Sequence, residues 1–183
     1  MKKLSLEELN RVSAEVFKTS PKIPVVVVLD SIRSALNVGS VFRTADAFAV
    51  EKIILCGITA QPPHPEILKT AIGATESVDW LFEKEILAAA GQLKNEGYKI
   101  LAVEQTDESV FLQNLKMQPA EKLALIFGNE VGGVSDPVLP LLDGAIEIPQ
   151  YGAKHSINVA VCVGIVLWEI LKTNILNLEN FQR

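Results

Sequence analysis

Four consecutive valines open the stretch "VVVVLD" (Val25 to Asp30), and no polar residue interrupts them. A strand with one wet face alternates apolar and polar residues, so a β-branched run without alternation must be buried on both faces. The same signature recurs in "EKIILCGI" (Glu51 to Ile58), "KILAVEQ" (Lys99 to Gln105), "KLALIFGNE" (Lys122 to Glu130) and "GAIEIPQ" (Gly144 to Gln150). Helical segments lie between several of them. From Val38 the apolar positions Val41, Phe42, Ala45 and Ala49 keep the helical period, "EKEILAAAGQLKNEGY" reads as a helix closed by Gly97, and "SINVAVCVGIVLWEILK" as a helix apolar on nearly every side. "SDPVLPLLD" has Ser135 or Asp136 as a cap before Pro137 and reads as a further helix. Strands alternating with helices at this spacing predict an α/β fold, with a mostly parallel sheet covered on both faces.

At 183 residues the chain suits one sizeable core. Residues 1–22 read as a short helical arm, with Ser5 and Glu8 of "SLEE" forming a capping box for a helix running to Phe17, and 23–183 as a single domain. "TAQPPHPEILKTAIGATESVDW" reads as a long loop holding one short helical piece at most, the kind of segment that is usually functional. The 17 basic and 22 acidic residues give a net charge of −5, so any nucleic-acid site must be a local basic patch. Cys56 and Cys162 fit no disulfide or CxxC pattern and read as buried thiols of a reducing, cytoplasmic environment. No leader is expected, and the longest apolar run, Val159 to Trp168, is too short to cross a bilayer. With two histidines and two cysteines scattered along the chain, no metal site is expected.

Ligands of open α/β sheets bind beyond the carboxyl ends of the strands. Here those ends carry "DSIRSALN" with Arg43 beyond it, Glu104 and Gln105, "GNEVGGVS", and "PQYGAKHSIN". "GNEVGG" is neither GxGxxG nor a P-loop, and its glycines serve either close backbone approach to a ligand or the geometry of a tight turn. Ser156 suits an N-cap, whereas Asn158 inside a first helical turn has no such explanation. Asn37 sits at a helix mouth with Arg43 six residues on, about 9 Å along the axis, so the Arg can reach back toward that mouth. The competing reading pairs Arg43 with Asp46 on a wet helix face.

Taken together, "NVGSVFRTADAF" (Asn37 to Phe48), "LALIFGNEVGGVS" (Leu123 to Ser135) and "IEIPQYGAKHSINVAVCVGIVLWE" (Ile146 to Glu169) resemble the three signature motifs of the SpoU (TrmH) family, in order and spacing. The similarity runs from about Val25 to Lys172. That family consists of RNA ribose 2′-O-methyltransferases using S-adenosylmethionine. The resemblance implies the α/β-knot (SPOUT) fold, with a deep trefoil knot within roughly Leu123 to Lys172, and a homodimer whose active sites are completed across the interface.

Residue by residue, the resemblance assigns catalysis to Asn37, Arg43, Ser156 and Asn158, and the cofactor to Gly128, Asn129, Glu130, Gly132, Ile148, Pro149, Ser156 and Ile157. Ile157 stands where the family usually has Leu. Arg33, Lys69 and Lys154, near the strand ends and the long loop, are the further candidates for contact with a tRNA or rRNA substrate beside Arg43, and each is otherwise solvated surface. Two other classes compete. A non-catalytic RNA- or adenosine-nucleotide-binding protein would have little reason to keep the Asn37, Arg43, Ser156 and Asn158 set, and a generic nucleotide-dependent enzyme lacks its phosphate loop.

Overall fold

The computed structural model describes residues 1–175 apart from Leu6, Glu7, Asn10, Pro119 and His155, with side chains described as far as Lys172. Its elements are, in chain order, α1 (Ala14–Thr19), β1 (Ile23–Asp30), α2 (Ala35–Ala47), β2 (Val50–Cys56), α3 (Pro65–Ala71), α4 (Ala74–Ser77), β3 (Asp79–Glu83), α5 (Ile86–Asn95), β4 (Lys99–Val103), β5 (Val110–Phe111), β6 (Leu123–Phe127), β7 (Gly144–Glu147) and α6 (Val159–Ile175). The strands form one seven-stranded sheet in the order β3-β2-β1-β6-β4-β7-β5, and every neighbouring pair is parallel.

The valine run explains the layering. Val25, Val27 and Leu29 pack into a cluster with Val38, Phe42, Val163 and Leu167 of α2 and α6. Val26 and Val28, pointing the other way, meet Ala89, Ala90 and Leu93 of α5 and Val138. All of these β1 side chains are fully buried. Each such side chain contributes roughly 1.5–3 kcal/mol relative to exposure, which is why the strand tolerates no polar position until its end. Asp30 supplies that end: it is 1% exposed and accepts the Ser135 N–H at 2.8 Å, fixing the start of the segment after β6. Gly39 in α2 has a packing reason, because a Cβ there would stand 2.3 Å from the Ile67 carbonyl oxygen of α3.

Several expectations change. The Ser5–Glu8 box forms, with the Ser5 N–H donating to Glu8 at 2.7 Å and the Glu8 N–H to Ser5 Oγ at 3.2 Å. Of the helix expected behind it, Leu6, Glu7 and Asn10 lie outside the described residues, Glu8 and Leu9 form a turn, and the described helix begins at Ala14 behind the Ser13 cap and buries no residue. A capping box satisfies orphan N–H groups but does not by itself supply an apolar face to anchor the following turns. The long segment after β2 holds two helices and the first two residues of the edge strand β3, not one helical piece, and the strand takes Glu83 from the start of the expected helix, which begins at Ile86. "SDPVLPLLD" is a 3₁₀ segment, Asp136–Leu141, with Pro140 inside it. Pro140 lacks the N–H that α-helical bonding requires. Cys56 is buried and Cys162 only half-buried. Burial, with Asp30 and Glu83 nearby, pushes the Cys56 thiol up to about 12.

Candidate functional site

A cleft of about 320 Å³ opens at the carboxyl ends of β4, β6 and β7, walled by the turn after β6 and by the chain leading into α6. The turn holds its own shape. Asn129 Oδ1 accepts the N–H groups of Val131 at 3.0 Å and Gly132 at 2.8 Å. The backbones of Asn129 and Gly133 exchange two further bonds, at 3.1 and 3.0 Å. Gly128 and Gly133 are required by this geometry: a Cβ on Gly128 would lie 2.0 Å from the Gly133 carbonyl carbon, and Gly133 has φ +68°. Gly132 has no such need, since a Cβ there meets nothing nearer than 3.7 Å.

Glu104, just past β4, ties the turn to the next strand end. Its Oε1 accepts the Gln105 N–H at 3.0 Å and its Oε2 accepts the Val134 N–H at 3.1 Å. The opposite wall comprises Ile148, Gln150 and Ser156 to Val159. Asn158, not Ser156, caps α6: its Oδ1 accepts the Ala160 N–H at 3.0 Å and the Val161 N–H at 3.4 Å, and its carbonyl accepts from Cys162 at 2.8 Å. Asn158 therefore does have a capping role, one residue before the helix. Cys162 also lines the cleft; burial and the charge of Glu104 push its thiol up to about 11.

The rim joins three distant stretches. Asn37, in the first turn of α2 behind the Ser34 cap, donates from Nδ2 to Glu130 Oε1 at 3.1 Å. Its Oδ1 accepts from Asn158 Nδ2 at 3.2 Å. Of the residues assigned from sequence, Gly128, Asn129, Glu130, Ile148, Ser156, Ile157 and Asn158 line the cleft. Asn37 reaches it through these two bonds, while Gly132 and Pro149 are not in its lining. Asn129 spends its side chain on the turn.

Arg43 lies outside the cleft lining, on the exposed face of α2. It makes no ion pair among the described residues, and the expected partner Asp46 accepts the Ser77 hydroxyl instead. Arg33, Lys69 and Lys154 are all exposed and away from the cleft lining. Sequence reasoning did not single out Glu147, Gln150 or Cys162, which also line it; the strand-end rule marks the segment of Glu147 and Gln150, and nothing marks Cys162. Among the described residues no group of three or more His, Cys, Asp and Glu could hold a metal ion, and no helix is long and apolar enough to cross a membrane.

The resemblance reaches beyond the motif stretches, along most of this chain. A tRNA (guanosine(18)-2′-O)-methyltransferase of Aquifex aeolicus is 31% identical over 175 residues, 92% of this chain and 78% of the relative. A protein of the same name from Borreliella burgdorferi is 29% identical over 144 residues, 79% of this chain and 64% of the relative. The crystal structure of the A. aeolicus TrmH/SpoU tRNA modifying enzyme superposes with a TM-score of 0.78 at 26% identity, covering 90% of this chain and 81% of that one. The AdoMet-bound rRNA methyltransferase from Sinorhizobium meliloti superposes with a TM-score of 0.75 at 25% identity, over 89% and 61%. This chain spans between 61% and 65% of the length of the first curated relatives it matches. The model of the SpoU rRNA Methylase family matches residues 24–168, from Pro24 in β1 to Trp168 of α6, taking in the first two motif stretches whole and the third as far as Trp168, and the chain belongs to that family.

Proposed function

We propose that this protein transfers a methyl group from S-adenosylmethionine to a ribose 2′-hydroxyl of a structured RNA, a tRNA or an rRNA. The observation that carries this reading is the bonded series Glu130, Asn37, Asn158, which draws one side chain from each motif stretch to the rim of one cleft. The names of the Aquifex and Borreliella relatives and the AdoMet-bound Sinorhizobium neighbour support it. A protein that only bound RNA or an adenosine nucleotide would have no use for this set of side chains.

The cleft suits the cofactor. Its volume of about 320 Å³ is at the compact end for small-molecule sites. Val103, Phe127, Ile148 and Ile157 offer apolar surface, and the turn offers backbone at Gly128 and Glu130. Gly132, Pro149 and Ser156 would complete the holding set, with Asn129 keeping the turn in shape. The bound cofactor supplies an electrophilic methyl on a sulfonium. This chain's part is alignment and charge stabilisation. A guanidinium is not deprotonated in proteins, so Arg43 acts as a clamp. Its paired N–H groups hold the phosphate beside the target ribose and stabilise charge developing on the 2′-oxygen. Asn37 and Ser156 orient the ribose, and Asn158 holds Asn37 in place.

Arg43 stands outside the cleft lining, so its partner site is completed by a second copy. α6 supports such a homodimer with an exposed stripe of Val161, Ile165 and Trp168, 54%, 38% and 54% exposed, at helical spacing. In this reading 1–22 is an arm, 23–183 one methyltransferase domain carrying the family's trefoil knot within 123–172, and the protein works in the cytoplasm. Arg33, Lys69 and Lys154 extend the RNA contact.

The test supplies methyl-labelled S-adenosylmethionine and total RNA lacking the modification, then counts 2′-O-methyl nucleosides after digestion. Label in one nucleoside is expected. Arg43→Lys, which keeps the charge but loses the fork, is expected to lower turnover at least about tenfold with cofactor affinity unchanged. Unchanged turnover in that variant overturns the clamp.

A further inference from the structure

The cleft is assigned to a ligand by its motif walls; its charge decides what kind of ligand. Glu104, Glu130 and Glu147 line it, and among the described lining residues there is no lysine or arginine. Carboxylates gathered in a concave, partly apolar site without a cation repel one another and focus a negative potential into the cavity. Glu104 has a local reason to be there, since it holds the N–H groups of Gln105 and Val134. Glu130 holds Asn37. Glu147 is different: it ends β7, is half-buried, lines the cleft, and has no hydrogen bond or ion pair with the described side chains.

We propose that these carboxylates, Glu147 foremost, select a cationic ligand, so that the cleft holds the methyl donor and releases the demethylated product. This rests on the cofactor reading above and deepens it. In the transfer the carbon–sulfur bond breaks with its electron pair left on sulfur, a carbon–oxygen bond forms at the 2′-oxygen, and the hydroxyl proton passes to water. The sulfonium thereby becomes a neutral thioether, and the ligand's net charge falls from positive to zero. A negative cleft loses one attractive interaction at that moment, while the apolar and backbone contacts to the adenosyl part stay the same. The same field disfavours a nucleotide phosphate in this cavity, leaving the RNA backbone to Arg43 outside it.

Calorimetric titration of the wild-type protein, Glu147→Gln and Glu104→Gln tests this with three ligands. They are S-adenosylmethionine, S-adenosylhomocysteine, and sinefungin, which carries an ammonium in place of the methyl sulfonium. The wild type should bind the two cationic ligands about tenfold more tightly than the thioether, with the ratio shrinking as salt is raised. Glu147→Gln is isosteric and removes no bond among the described residues. It should reduce the ratio to about threefold by weakening the cationic ligands alone. Glu104→Gln serves as the second variant, judged against its circular dichroism, because it also touches the turn. A ratio unaltered in both variants, or equal weakening of all three ligands, overturns the charge selection while leaving the cofactor reading intact. Failure of the folded wild type to bind any of the three overturns the cofactor reading and this inference with it.

Discussion

The two walls of the cleft are built in opposite ways. The turn after β6 is closed on itself: Asn129 accepts two N–H groups, its backbone trades two bonds with Gly133, and Glu104 and Asp30 hold Val134 and Ser135 from neighbouring strand ends. The segment 149–157 makes no hydrogen bond among the described residues, and Tyr151 is 96% exposed. Only at Asn158 does the second wall lock, where one side chain both caps α6 and reaches Asn37. One wall is thus preformed by bonds within the fold. The other is anchored at its ends, by β7 and by Asn158, and its described residues between those ends carry no such lattice of bonds, which makes it the candidate for the adjustable wall.

Substitutions can break this contrast. Gly128→Ala has the largest expected effect, because its Cβ would overlap the Gly133 and Val134 backbone, which cannot swing aside as a side chain can. A loss of about 3 kcal/mol in urea unfolding, with cofactor binding abolished, is expected; near-normal stability would mean the turn is as adjustable as the opposite wall. Asn129→Ala comes next. It leaves the Val131 and Gly132 N–H groups without their acceptor, and being exposed they can turn to water. The expected cost is therefore about 1–2 kcal/mol, with weaker cofactor binding read by calorimetry.

The difference between the walls also explains what sequence revealed. The central strands announced themselves because burial on both faces removes every polar residue, as in Val25 to Leu29. β3 did not, since an edge strand buries little; Asp79 and Phe82 are exposed, and its residues were divided between the end of the long loop, at Trp80, and the start of the next helix, at Glu83. β5 has only two residues, too few for any pattern. In the preformed wall, Gly128 and Asn129 could be picked out and a tight turn was one of the two readings open for the glycines, but that the Asn129 side chain is spent on the turn required coordinates. Asn158 was misread because its helix begins at Val159, two residues after the Ile157 start that a Ser156 cap implies, and helix boundaries are the least certain part of any pattern. Asn37 meeting Asn158 across 121 positions of chain is a consequence of topology, invisible to local spacing. Arg43 was legible as a residue on the open face of α2, since the apolar period of Val41, Phe42 and Ala45 marks the buried one, but its place outside the cleft lining was not, for that depends on how α2 sits over the strand ends.

Asn158→Ala tests the point where the adjustable wall is anchored. It removes the cap of α6 and the bond to Asn37 together, so a loss of about 1 kcal/mol is expected from the cap. Turnover should fall further than stability, because Asn37 loses one of the two bonds that orient it; equal loss of both would confine Asn158 to capping. The smallest effect is expected within the adjustable wall itself. A Cβ on Gly152 would meet nothing within 4 Å, and the residue is exposed. Gly152→Ala should therefore leave unfolding within about 0.5 kcal/mol of the wild type. Any shift is expected toward stability, since alanine narrows the unfolded chain's freedom. Cofactor affinity is the sharper readout: if the segment closes over the ligand by bending at its glycine, the variant should bind more weakly at unchanged stability. If it swings as a unit between β7 and Asn158, affinity should be unaltered, and the hinge then lies at those ends.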